Sequence, residues 1–193
     1  MIAVVILAGG KGRRMGGNKA LRLLAGTCLI EYALDIAQRW SPRVALSVKG
    51  ATVTFDRFGV PQLADQEESG PIAGIAAALS FARTEGVNHV LTIPCDTPFL
   101  PLDLHDRLSD ALSRSGRAAI ASSGGRLHPS CALWDADTSL ALPDFLASGR
   151  GSLRGFAETV CASVVEWPIE PHDPFFNINS EADLAVAEAM IRN

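Results

Sequence analysis

The chain begins with Ala3-Val4-Val5-Ile6-Leu7, an unbroken apolar run stopped by Gly9-Gly10. A strand covered on both faces reads this way, whereas a strand with one wet face alternates. Further strand-like runs lie at 43–48, 89–93, 118–121 and 163–167. Between them the period changes. Ile30, Ala33, Leu34, Ala37 and Trp40 recur at helical spacing. Pro71 suits the first turn of a second helix, where its missing N–H costs nothing. Residues 103–112 and 181–191 complete the helical set. The last is introduced by Ser180 with Asp183 three residues on, an acidic variant of the capping box. Strands alternating with helices predict a three-layer α/β domain on a mainly parallel sheet, with right-handed connections. No repeat, low-complexity tract or linker interrupts residues 1–193, which reads as a single domain. The polar, glycine-rich segment 122–130 is the one place where a small substrate lobe could begin.

Composition narrows the class. The 193 residues are 48% hydrophobic and 20% charged, with a net charge of −4, as expected of a folded globular chain. An acidic balance with 6% aromatics argues against nucleic acid as a partner, since that needs basic surface or stacking platforms. No apolar run nears the roughly 18 residues of a membrane span. The apolar N-terminus lacks a basic leading segment and runs straight into glycines, so it reads as a strand and not as an export signal. Cys28, Cys95, Cys131 and Cys161 form no CxxC pair, which points away from a zinc site or disulfide framework and toward a cytoplasmic setting.

The chemistry concentrates in the loop after the first strand. Five glycines and four cations lie in Leu7-Ala8-Gly9-Gly10-Lys11-Gly12-Arg13-Arg14-Met15-Gly16-Gly17-Asn18-Lys19. Glycines let the backbone approach a ligand, and exposed N–H groups with cations form a polyphosphate cradle. A basic surface loop has the same composition, but this one leaves a buried first strand, where α/β sheets bind ligands. Two common phosphate loops are excluded. Counting from Gly12, a Walker A motif meets Asn18 where lysine is required, and Lys19 is followed by Ala20, which cannot ligate magnesium. A dinucleotide fingerprint from Gly10 fails at Met15.

A second candidate is Pro94-Cys95-Asp96-Thr97-Pro98, one carboxylate after a buried strand in a turn stiffened by two prolines. Beside a polyphosphate loop, Asp96 has the chemistry of a Mg²⁺ ligand; alone it would equally serve as a turn former. Asp65 precedes Gly70-Pro71-Ile72-Ala73-Gly74, an acidic loop running into a glycine-bearing helix start.

The first loop resembles the LAGGxxxRMGxxK signature of the nucleotidyltransferases, matching at Leu7, Ala8, Gly9, Gly10, Arg14, Met15, Gly16 and Lys19, with Asn18 where an aspartate often stands. The Asp96 segment resembles the PCDTPxL segment of the molybdenum cofactor guanylyltransferases, the MobA family. His128-Pro129-Ser130 with Leu133-Trp134, and Phe176-Asn177-Ile178-Asn179 before the last helix, resemble two later segments of that family. The likeness runs from Ala3 to about Ala187 and is weakest over 51–60 and 136–161. It implies a Rossmann-like nucleotidyltransferase fold. The implied activity is transfer of GMP from GTP to the terminal phosphate of molybdopterin, giving the guanine dinucleotide cofactor and pyrophosphate.

The resemblance also implies roles. Leu7, Ala8, Gly9, Gly10, Lys19, Ser47, Asp65 and Asp96 would contact the nucleotide; Arg14, Gly17, Asn177 and Asn179 would contact the acceptor; Arg14, Lys19 and Asp96 would drive transfer; and Asp96 would hold Mg²⁺. Asn177 and Asn179 also fit turn and N-cap chemistry, and His128 fits a structural role as well as a substrate-facing one. The partners implied are GTP, molybdopterin, other proteins of cofactor biosynthesis and the recipient molybdoenzymes. A cytidylyltransferase on the same pterin, another small-substrate nucleotidyltransferase and a non-catalytic nucleotide-binding module are the competing readings. Retained Lys19 and Asp96 speak against the last.

Overall fold

The computed structural model describes residues 1–9, 19–50, 53–64 and 71–192. In chain order the elements are β1 (Ile2–Leu7), β2 (Leu23–Leu24), β3 (Thr27–Cys28), α1 (Leu29–Trp40), β4 (Val44–Val48), α2 (Val53–Asp56), β5 (Gln62–Ala64) and α3 (Ala73–Thr84). They continue with β6 (His89–Pro94), α4 (Leu104–Ser115), β7 (Ala118–Ser123), β8 (Arg126–Asp135), α5 (Leu142–Ala147), α6 (Leu153–Thr159), β9 (Ser163–Trp167) and α7 (Glu181–Arg192). Seven strands form one sheet in the order β5-β4-β1-β6-β8-β7-β9. Neighbours run parallel except around β8, which is antiparallel to both β6 and β7. The expected mixed α/β architecture with a mainly parallel sheet is therefore present.

Burial explains the first strand. Ala3, Val4, Val5 and Ile6 are fully inaccessible. Val4 and Ile6 join a core with Ile30, Ala33 and Ala37 of α1 and Leu104 and Leu108 of α4. Ala3 and Val5 join the opposite core with Ile75, Ala78 and Leu79 of α3. Side chains alternate across a strand, so a strand with a helical layer on each face has no position left for a polar residue. Of the apolar positions of α1 foreseen at 30, 33, 34, 37 and 40, the first four are buried together with Leu29, and Trp40 is partly buried against the same core.

The strand order sets where ligands can bind. From β1 the chain moves outward to β4 and β5, then returns through α3 to β6 on the other side of β1. The direction of winding thus reverses between β1 and β6. Crevices at the carboxyl ends of strands flanking such a reversal are the binding sites of open α/β sheets. The glycine-rich loop leaves β1 there, and Asp96 follows β6 at the same edge.

Segment 122–130 turns out to be the hinge of a β-hairpin whose strands continue the sheet. Gly124 and Gly125 both have positive φ, 53° and 74°, and Ser123 pairs with Arg126. Two left-handed residues between paired strands give the tight turn whose twist matches that of the sheet, and glycine enters that region without strain. Beyond the turn the register jumps. Ile120 pairs with Ala132 but Ala121 with His128, so one step along β7 spans four along β8. Pro129 sits in this bulge, where its missing N–H breaks no ladder bond.

The β8 strand is held on β6 by a buried polar contact. The Trp134 indole N–H donates to Thr92 Oγ1 at 3.0 Å, both residues being fully inaccessible, and the Thr92 hydroxyl donates to the Ala132 carbonyl at 3.3 Å. Thr92→Val keeps the shape and leaves the indole N–H unpaired. Urea unfolding should show a loss of about 1–3 kcal/mol, and an unchanged midpoint would contradict the role given to this bond.

Candidate active site

Two backbone bonds continue the sheet past the end of β1. The Ala8 N–H donates to the Ser47 carbonyl at 2.8 Å, and the Cys95 N–H donates to the Leu7 carbonyl at 3.3 Å. The start of the glycine-rich loop is thereby held between the ends of β4 and β6, with the Ala8 N–H committed to the sheet. Ser47 is buried near the end of β4, in the wall that faces α3.

Gly74 closes this wall from the α3 side. A Cβ at Gly74 would lie 2.9 Å from Leu7 Cδ2 and 3.0 Å from Ser47 Oγ. The glycine lets the first turn of α3 pack directly on both residues. That adds a packing reason to the nucleotide-proximity reason for which glycine was expected at this helix start. Leu7 Cδ2 is the end of a flexible side chain and can rotate away, so Gly74→Ala should cost only about 1 kcal/mol, at the low end for overpacking. It should nevertheless raise the KM for the nucleotide severalfold, because it displaces Leu7 and Ser47 where the glycine-rich loop leaves β1. Thermal unfolding and steady-state kinetics together check this. A large stability loss with no change in KM would reverse the assignment.

Opposite this wall four side chains meet. The Lys19 ammonium forms an ion pair with Asp96 Oδ2 and donates to Asn177 Oδ1 at 3.2 Å and to Asn179 Oδ1 at 2.7 Å. Lys19 stands at the start of a short 3-10 turn anchored by buried Ala20. Asp96 stands one residue beyond Cys95, after β6. The asparagines reach the site by a backbone clamp in which the Ile178 N–H donates to the Asp96 carbonyl at 3.0 Å. Ile178 is fully buried against Leu24, Leu29 and Ala187, and its two neighbours in an extended stretch emerge on the other side, toward Lys19.

The helix that follows fixes the outer asparagine. The Asp183 N–H donates to Ser180 Oγ at 3.2 Å, and the Asn179 N–H donates to Asp183 Oδ2 at 2.8 Å. The expected capping box is present, and the aspartate also reaches one residue further back, to Asn179. That backbone N–H is the main cause holding the Asp183 carboxyl below its ordinary range. A depressed folded-state pKa stabilises above the unfolded value, near pH 3.9, and the contribution is lost as pH falls through the folded value. Asp183→Ala should cost about 1 kcal/mol at pH 7, as loss of a cap does. Unfolding curves of variant and wild type should converge as pH falls through the depressed folded-state value; a constant gap at all pH values would show that the cap's charge is irrelevant.

The oxygen atoms around Lys19 Nζ are one carboxylate and two amide carbonyls, which already hold a cation. Hard oxygen donors of this kind suit Mg²⁺, which takes one or two carboxylates together with substrate phosphates. Asp96 is the charged donor of this cluster, and among the described residues no group of three His, Cys, Asp or Glu forms a metal site. Cys95 and Cys131 are buried with thiols pushed above their ordinary range by desolvation, so neither supplies a thiolate nucleophile.

Of the residues expected at the site, Leu7, Ala8 and Ser47 lie together at the ends of β1 and β4, and Lys19, Asp96, Asn177 and Asn179 form one cluster. Gly9 is described at the mouth of the loop. Gly10, Arg14, Gly17 and Asp65 lie outside the described residues. The sequence reading did not single out Ser123, Asp173 or Phe175. They surround His128 at a cavity beside Asp96, and the Gly124-Gly125 turn was the one local signal that could have placed Ser123 in the sheet.

A reversal point in a mainly parallel sheet, with a glycine-rich cationic loop on one strand and a carboxylate on the next, defines a nucleotide-handling α/β enzyme. The family model of the MobA-like NTP transferase domain matches residues 4–162. A molybdenum cofactor guanylyltransferase of Cereibacter sphaeroides is 40% identical over 192 residues, covering 97% of this chain and 96% of that protein. One of Acidiphilium cryptum is 42% identical over 193 residues, covering 97% and 94%. The chain belongs to the MobA-like NTP transferase family. The crystal structure of molybdopterin-guanine dinucleotide biosynthesis protein A from Archaeoglobus fulgidus superposes with a TM-score of 0.76 at 23% identity, over 100% of this chain and 99% of that one. A 4-diphosphocytidyl-2C-methyl-D-erythritol synthase of Anaerococcus prevotii superposes with a TM-score of 0.78 at 15% identity, over 100% and 96%. At these identities the two structures share the fold alone.

Proposed function

We propose that the chain is a guanylyltransferase that transfers GMP from GTP to the terminal phosphate of molybdopterin, releasing pyrophosphate and forming the guanine dinucleotide cofactor. The observation that carries this reading is the convergence of Lys19, Asp96, Asn177 and Asn179 at the sheet reversal, in a chain whose near full-length relatives bear that name.

A phosphate oxygen of the acceptor attacks the α-phosphorus of GTP, and the bond to the pyrophosphate oxygen breaks. The nucleophile is already anionic, so no protein base is required. The protein's part is charge neutralisation and in-line positioning. Lys19, with Arg14, binds the triphosphate. Leu7, Ala8, Gly9, Gly10, Ser47 and Asp65 form the nucleotide wall, with Asp65 reading either base or ribose. Gly17, Asn177 and Asn179 face the acceptor. Relatives of this kind use a divalent metal ion; Mg²⁺ held by Asp96 would supply charge stabilisation at the phosphates. The enzyme works in the cytoplasm, the setting that four cysteines without a CxxC pair favour. Other proteins of cofactor biosynthesis and the recipient enzymes complete its partners.

Asp96→Asn keeps volume and an acceptor for Lys19 but removes the charge. GMP transfer at fixed Mg²⁺ should fall at least about 100-fold, as when one charge-stabilising group is lost. Lys19→Ala should raise the KM for GTP roughly tenfold or more, the worth of a charged hydrogen bond. Transfer within a few-fold of wild type in both would remove these residues from the chemistry. Base choice is tested with molybdopterin, Mg²⁺ and either GTP or CTP. The guanine dinucleotide should form, because an unmatched base leaves buried hydrogen-bonding groups unpaired. Preferential formation of the cytosine dinucleotide would replace this reading with the cytidylyltransferase one.

A further inference from the structure

Next to Asp96 lies a cavity of about 140 Å³ lined by Thr97, Arg126, His128, Ser130, Phe175 and Asn177 among others. It adjoins the cation cluster directly: Thr97 Oγ1 is 3.5 Å from Asp96 Oδ1, and Asn177 belongs to both. Its lining is rich in donors and carries one guanidinium, the chemistry of an oxyanion site. The β8 bulge creates it, because the extra residues between His128 and Ala132 leave the ladder there.

His128 is held in this cavity from two sides. Its ring stacks on Phe175, with centroids 4.6 Å apart and planes inclined by 15°. Ser123 Oγ lies 2.8 Å from His128 Nε2 and donates to Asp173 Oδ1, also at 2.8 Å. Asp173 is fixed in turn, since its Oδ1 also accepts the Phe175 N–H at 2.9 Å. With the Ser123 proton given to Asp173, the serine oxygen accepts from Nε2–H, so the neutral ring carries its proton on Nε2. Nδ1 is then an acceptor. Among the described residues it has no partner, and it is not sealed from solvent.

We propose that this cavity seats the phosphate of the acceptor substrate, and that His128, aligned by Ser123 and Asp173, positions it by taking a proton from solvent on Nδ1 and donating to a phosphate oxygen. The inference rests on the guanylyltransferase reading and names the acceptor's subsite within it. The surrounding charges suit the step. Desolvation is the main cause holding His128 below its ordinary value, and Arg126 adds to it, while Asp173 and Glu166 oppose. Together these influences favour the neutral ring, and an entering dianion reverses the balance. A site whose pKa is higher in the bound state binds best below the free-state midpoint and loses affinity as pH rises through the bound-state one.

The test uses the full-length protein and ¹⁵N-histidine NMR, with inorganic sulfate as probe, since it stays a tetrahedral dianion across the titration. Sodium chloride at equal ionic strength is the control, and His128→Gln assigns the signal. Sulfate should raise the His128 midpoint by about one pH unit, a tenfold change in affinity between the two protonation states. Ser123→Ala should abolish most of that rise. In the transfer assay, His128→Gln should raise the KM for molybdopterin about tenfold while lowering kcat far less, and should flatten the pH dependence of that KM. A midpoint unmoved by sulfate, or moved equally in Ser123→Ala, overturns the inference even if GMP transfer proceeds. A raised midpoint in a protein that transfers no GMP would retain the anion site and overturn the guanylyltransferase reading instead.

Discussion

The contact between Lys19 and Asp96 ties together parts of the chain that nothing local brings near. Both side chains are largely withdrawn from solvent, at 12% and 15% exposure. An ion pair at that depth is held only if its remaining hydrogen-bonding capacity is met, because partly desolvated charge is costly when unpaired. Asn177 and Asn179 meet that need with their carbonyl oxygens. The backbone bond from Ile178 to Asp96 fixes their distance, and the burial of Ile178 among Leu24, Leu29 and Ala187 fixes the whole segment. Loop, strand end and C-terminal arm are thus one electrostatic unit.

The sheet makes that unit possible. Reversal of winding between β1 and β6 places the exits of two buried strands side by side, and bonds from Ala8 and Cys95 carry their pairing one residue further. On the far side of β6, the antiparallel β8 does something a parallel crossover could not. A two-residue turn returns the chain at once, and a bulge in the returning strand opens a donor-lined cavity beside Asp96. The parallel and the antiparallel parts of the sheet thus meet beside one carboxylate, Asp96.

Much of this was legible in the residues. β1 declared itself because a doubly covered strand cannot carry polar residues, α1 through its apolar spacing and α7 through its cap. The loop at Leu7–Lys19 and Asp96 carried their chemistry in residue type and position. β8 was missed for a physical reason: its first half is polar and contains Pro129, and its second half is apolar, so no single period spans it. The Gly124-Gly125 pair, read as loop composition, is the turn signal. β5 has three residues and offers no period at all. The direct contact of Lys19 with Asn177 and Asn179 could not be read, since spacing within a motif says nothing of partners about 160 residues away. His128 was left between structural and substrate-facing roles; its stacking on Phe175 and its contact with Ser123 could not be read from the residues.

The central claim is that Lys19 and Asp96 act as one coupled group. A double-mutant cycle with Lys19→Ala, Asp96→Asn and the pair, read by urea unfolding of the ligand-free protein, measures that coupling. Residues in one hydrogen-bonded network should show a non-additive interaction of about 0.5–3 kcal/mol. Additivity within about 0.3 kcal/mol, the behaviour of independent sites, would contradict the account.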